Sequence, residues 1–134
     1  MAITTAMCNS FKQELLGGVH DLDTDTIKIA LIKNSQSGTY NASTANYSAV
    51  TGNSDEATGT NYVTGGNTLG SATIALSGST ATVDFADTTW SSATVSADGC
   101  IIYNSSQANK AIAVISFGGT KTSTNGDFVV QFPT

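Results

Sequence analysis

The sequence predicts a mainly β protein, a single antiparallel β-sandwich or barrel-like domain carrying one short N-terminal α-helix. Three observations predict it. From residue 68 onward the chain reads as short strands, turn residues interrupt them about every ten positions, and 134 residues suit one domain with its own core. Parallel pairing would need crossover helices between the strands, and no helical pattern lies there.

The elements follow in order, as a helical segment over residues 1–18, a long polar loop over 34–60 and a strand core over 68–132. Met7, Phe11 and Leu15 recur at i, i+4 and i+8, and Cys8 and Leu16 widen that stripe. Thr4 or Thr5 is the expected cap, and Gly17-Gly18 the left-handed stop. After the acidic run Asp21, Asp23, Asp25 the period becomes two. Ile27, Ile29 and Leu31 face one way and Lys28 and Ala30 the other, as in a half-buried strand. Residues 34–60 hold few large apolar groups beyond Tyr40, Tyr47 and Val50, so the sequence predicts a loop that is functional or mobile. Strands are expected over Thr68–Leu76, Thr80–Phe85, Thr94–Tyr103, Ala111–Phe117 and Phe128–Phe132. The turns between them fall at Ser77–Ser79, Asn104–Asn109 and Gly118–Gly126.

Composition excludes several function classes. Only 11% of residues are charged, with five lysines, no arginine and a net charge of −5. Nucleic-acid binding needs clustered cations to displace counterions from phosphate, so no nucleic-acid partner is expected. No apolar run reaches the length of a membrane span, and residues 1–10 do not read as a secretory signal, so no membrane partner is expected and the cytosol is the expected site of synthesis. Cys8 and Cys100 read as two buried free thiols, with a disulfide as the alternative.

No candidate for chemistry assembles into a site, so the expectation is no enzyme, no catalytic residue, no cofactor and no metal. The stretch Glu56–Leu69, EATGTNYVTGGNTL, is rich in glycine. Yet five residues separate Gly59 from Gly65, and Asn67 stands where a phosphate loop places lysine. Asp21, Asp23 and Asp25 begin like a calcium loop, but Thr26 and Ile32 occupy its required glycine and glutamate positions. The lone His20 beside the helix-ending glycines reads as a surface imidazole, and sixteen serines make a Ser–His–Asp triple uninformative. A glycosidase pair stays open on sequence, although Asp84, Asp87, Asp98 and Asp127 all sit at strand ends or turns, where aspartate is common. The sequons at Asn41, Asn46 and Asn104 are expected by chance in so Asn-, Ser- and Thr-rich a chain. Trp90, just past a strand, reads as a plug closing one end of the core.

One pattern runs through most of the chain outside residues 34–56. It comprises Phe11–Leu16, Gly59–Gly66, Val83–Asp87 leading to Trp90, Ala93–Ala97 and Ile101–Asn104. Ile115–Gly119, Thr122–Phe128 and Gln131–Pro133 close it. In order and spacing this resembles a group of small tailed-bacteriophage virion structural proteins. The resemblance implies a capsid decoration, or cement, protein on the capsid exterior. Its partners would be the major capsid protein and copies of itself, and it carries no catalytic residues. A head–tail or tail-associated virion protein is the alternative within that class. A carbohydrate-binding module is the alternative from another class, and would need exposed Tyr40, Tyr47 or Tyr62. The helix stripe and the 34–60 loop are the expected contact surfaces.

Overall fold

The computed structural model describes residues 2–132; Met1, Pro133 and Thr134, which the sequence-based segments 1–18 and 1–134 include, lie outside it. Strand accounts for 48% of the chain and helix for 12%, in two antiparallel sheets. Five strands form the main sheet. These are β1 (Ala6–Met7), β2 (Ile27–Ile32), β3 (Asn67–Thr68), β6 (Thr88–Asn104) and β7 (Lys110–Val130), in the order β1-β7-β6-β2-β3. Strands β4 (Thr73–Ser77) and β5 (Thr80–Asp84) form a separate two-stranded hairpin.

Helix α1 spans Asn9–Leu16, later than the apolar stripe implies. Residues 6 and 7 are taken by β1, which pairs with Val114 and Ala113 of β7. Neither Thr4 nor Thr5 caps the helix: Cys8 holds that position without a side-chain bond, and the Thr5 hydroxyl accepts the Ser116 N–H at 2.9 Å. The stop falls where the glycines put it. Gly18 takes φ +75°, and the Val19 N–H reaches the Glu14 carbonyl at 2.9 Å while that of Gly18 reaches Leu15 at 3.2 Å. Together these two bonds satisfy carbonyls that the helix end would leave open.

Strand β2 lies between β6 and β3, and it is not half-buried. Ile29, Ala30, Leu31 and Ile32 are all fully buried. Register explains how both faces are covered. Ile29, Ile102 and Ala113 lie side by side on one face, Ala30, Ile101 and Val114 on the other. On the first face sits α1, whose Phe11 joins the core; over the second lies the 34–60 segment, where Tyr47 stacks on Tyr103 at 4.3 Å with the rings 5° from parallel.

The strands of the second half are fewer and longer than the turn residues predict. Gly118–Gly126 does not break the sheet, because β7 runs through it as the partner of β6, with register shifts between Trp90 and Ala93, Ala93 and Val95, and Ala97 and Gly99. Bulges absorb the extra residues of the longer strand and keep the ladder closed. In contrast, the expected Thr68–Leu76 strand is split in two. Gly70 and Ser71, the latter at φ +55°, turn the chain out of the main sheet into β4.

Candidate interaction surface

Residues 34–60 form a pinned cover, with a short helix α2 (Ser48–Gly52) inside it. Asp55 and Glu56 are the only charged side chains between Lys33 and Asp84, and each anchors this cover. Asp55 is fully buried. Its carboxylate accepts from the Tyr40 hydroxyl at 2.6 Å, the Ser37 and Gly38 N–H groups at 2.9 and 2.8 Å, and the Ser37 hydroxyl at 3.2 Å. Lys33 Nζ stands 3.7 Å away. Burial pushes the Asp55 carboxyl up, but these donors together overcome it and hold the group at about 2. Burial and the neighbouring carboxylate raise Tyr40 to about 12.

Glu56 works from the other side of the same peptide. Its carboxylate accepts the hydroxyls of Tyr47 and Tyr62 and the Gly65 N–H, the last two at 2.7 Å. Tyr62 Oη accepts the Leu31 N–H at 2.9 Å, and the Tyr103 hydroxyl donates to the Gly65 carbonyl at 2.7 Å. Burial above all, then Glu56, raises the hydroxyls of Tyr47 and Tyr62, so both stay protonated donors. The glycines of EATGTNYVTGGNTL therefore serve a polar knot. Gly66 sits at φ +77° with the Ile29 carbonyl 1.8 Å from where a Cβ would be, so no other residue fits.

The other polar candidates are likewise engaged within the fold. His20 is buried, not a surface imidazole, because α1 folds back over it. Its Nε2 lies 2.9 Å from Glu14 and its Nδ1 3.0 Å from the Asn104 amide nitrogen. That amide also donates to Asp25 at 2.8 Å, while its oxygen accepts the Ser106 N–H at 3.0 Å. Asn104 of the third sequon is thus buried in this network. The Asp21 and Asp25 carboxylates accept N–H groups of their own turn. Asp84, Asp87, Asp98 and Asp127 each accept from a different neighbour, namely the Phe85 N–H, the Phe132 N–H, the Thr120 hydroxyl and the Ser92 N–H. Cys8 and Cys100 are free and buried, and burial raises their thiols to about 11 and about 12. Trp90 plugs the core as expected, edge-on to Phe128. Tyr40, Tyr47 and Tyr62 are buried as well, so they offer no platform on which a sugar could stack.

The fold also leaves large apolar side chains open. Met7, Leu15 and Leu16 of the β1–α1 segment and Ile74 and Leu76 of β4 are exposed, Leu16 at 92% and Leu76 at 74%. Between α1, the hairpin and the sheet runs a groove of about 730 Å³. Met7, Phe11, Leu15, Ile74, Val83 and Ile102 help line it, and among the described lining residues only His20 and Asp21 can ionise. A second groove of about 530 Å³ adjoins it and shares Ile115 and Phe132. The alternation in β4 and β5 shows why the groove is apolar. Ile74 pairs with Val83 and Leu76 with Ala81, which puts all four on one face of the hairpin.

These features define a mainly β protein whose buried carboxylates, tyrosine hydroxyls and histidine are engaged within its own fold and which leaves several large apolar side chains exposed. Among the described residues no helix is long and apolar enough to cross a membrane. The chain matches no known protein family, no curated protein and no solved structure.

Proposed function

We propose that this chain is a structural protein of a tailed-bacteriophage virion, a capsid decoration protein that binds the outer surface of the major capsid protein shell and stabilises it. The observation that carries the reading is the uncovered apolar face of β1, α1 and β4. A surface of this kind, on a small domain, suits burial against another protein. The resemblance of the sequence pattern to small phage virion proteins supplies the setting. A low charge density supports it too, since copies crowded on a lattice then repel one another weakly.

The test is reconstruction of the intact virion, with the chain located in density and its copy number counted. A copy number on the scale of the shell lattice supports decoration, whereas a single ring at the head–tail junction or on the tail sinks it. Truncation of residues 1–18 is unsuitable for mapping the contact, because Cys8 and Phe11 belong to the core. Leu16→Asp is the better probe, and lower occupancy of particles by that variant is the expected result.

A further inference from the structure

His20 is the one histidine of the chain, and its side chain is wholly buried. Its ring abuts Phe11 of α1, with centroids 4.9 Å apart, and is held at both nitrogens. Which nitrogen carries the proton follows from Asn104, the last residue of β6. That amide is oriented twice over, because its oxygen accepts the Ser106 N–H at 3.0 Å and its nitrogen donates to Asp25 at 2.8 Å. The amide nitrogen is therefore the atom that faces His20 Nδ1 at 3.0 Å, and an amide nitrogen donates without accepting. Nδ1 takes that bond on its lone pair. His20 is thus neutral, with its proton on Nε2 and donated to Glu14 at 2.9 Å.

We propose that His20 is an acid-sensitive latch between α1 and the main sheet. Protonation puts a second N–H, on Nδ1, against the N–H groups of Asn104, so that two donors meet. The ring keeps its place only if the Asn104 amide turns over, and that movement breaks the bonds to Asp25 and from Ser106. Those bonds carry the connection onward. Ser106 belongs to the 3-10 turn Ser105–Gln107 that follows β6, and its hydroxyl accepts the Thr26 N–H at 2.8 Å, just before β2. The Ser105 N–H and hydroxyl both donate to the Thr26 carbonyl at 3.0 Å. One proton on His20 is therefore coupled to the join between the end of β6 and the start of β2. The charges around the ring bring this within reach. Glu14 of α1 touches it, Asp25 and Asp21 lie in the turn beyond it, and Lys110 of β7 stands 3.9 Å from Glu14. Cys8, pushed up to about 11 by burial and then by Glu14, stays a neutral thiol. The carboxylates offset part of the penalty for burying an imidazolium, while Asn104 opposes it. Asp25 is held below the usual carboxylate range, chiefly by its bond from Asn104, so it stays ionised while His20 titrates.

The latch goes beyond the virion reading and does not depend on it, since its test uses the purified full-length chain alone. Long-range proton–nitrogen NMR at about pH 7.5 should find His20 neutral with its proton on Nε2. A proton on Nδ1, or an imidazolium at that pH, overturns the proposal. Hydrogen exchange, corrected for the intrinsic pH dependence, reads the coupling. Between about pH 7.5 and about pH 5 the protection of the Ser106 and Thr26 amides should fall at least about tenfold, in step with the His20 ring signals. Protection of the Leu31 amide, held by Tyr62 within β2, should not change. His20→Gln supplies a donor and an acceptor but takes up no proton, so its Ser106 and Thr26 amides should stay protected across that range. An undiminished fall in His20→Gln would assign the effect to the carboxylates and overturn the latch. Should that variant fail to fold, the unmodified chain still decides, because His20 titrating while the Ser106 and Thr26 amides keep their protection refutes the coupling.

Discussion

The 34–60 segment and the β4–β5 hairpin reverse the roles that their compositions suggest. The first is polar, rich in Ser, Thr and Asn, and carries almost no regular structure, yet Tyr40, Val50, Asp55 and Ala57 within it are essentially inaccessible. The second has good strand residues in clean alternation, yet β4 is wholly exposed. The first segment does put Tyr40, Tyr47, Val50 and Ala57 into the core, but it is also pinned by polar contacts. Two adjacent carboxylates hold it by accepting hydrogen bonds from tyrosine hydroxyls and backbone N–H groups where water is excluded, and there a lost acceptor is costly. The hairpin has its ladder, but of its apolar face only Val83 packs on the core, and Ile74 and Leu76 stay exposed. Local order follows from satisfied partners, whatever the strand propensity of the segment.

The comparison breaks most visibly at Glu56. Glu56→Ala leaves the Tyr47 and Tyr62 hydroxyls and the Gly65 N–H without an acceptor, and should cost about 3–5 kcal/mol in urea unfolding. Glu56→Gln keeps an acceptor oxygen and should lose clearly less. Equal losses for the two would mean that the carboxylate's second oxygen and its charge decide the matter.

Asp55 comes next and gives a pH signature. Its folded-state value of about 2 lies below the ordinary 3.8, so the stability it contributes is complete above 3.8 and is lost as pH falls through that window towards 2. Asp25, also held low, chiefly by its bond from Asn104, titrates nearby, so the slope for the intact chain is not due to Asp55 alone. The difference from Asp55→Asn isolates it. That variant should be about 2–3 kcal/mol less stable at neutral pH, and its acid-unfolding curve should be flatter between 3.8 and 2. An acid limb identical to that of the intact chain would refute the role. Tyr40→Phe removes one donor from the same carboxylate and should cost less, about 1–2 kcal/mol.

How far this was legible differs by element. The stop of α1, strand β2 and the β4–β5 turn are written in local pattern, two glycines, a period of two and Gly78, and they appear where that pattern puts them. The merging of the expected Ala111–Phe117 and Phe128–Phe132 strands into β7 was not legible. Gly118, Gly119 and Asn125 look the same in a turn as in a bulged strand, and only the partner β6 decides. The carboxylate anchors left a fainter trace. Asp55-Glu56 is a lone charged pair in fifty residues that also hold three of the four tyrosines, but tyrosine and glutamate in a polar loop follow no period that marks burial. His20 was misread for the same reason, since its partner Asn104 lies far along the chain. The exposed face of the hairpin could not be read at all, because alternation reports an apolar face and not whether anything covers it.

The smallest expected effect tests the hairpin half of the comparison. Leu76→Thr keeps a β-favouring residue opposite Ala81 and removes apolar surface that is already 74% in water. Its unfolding free energy, measured at concentrations low enough for the chain to be monomeric, should therefore change by less than about 0.5 kcal/mol. Ile32→Ala is the control, since it empties a fully buried site in β2 and should cost about 2–5 kcal/mol. If Leu76→Thr instead approached the control's loss in a dilute monomer, the hairpin would be packed against its own domain in solution. The apolar face of β4 would then belong to the core, and the contrast with the pinned 34–60 segment would collapse.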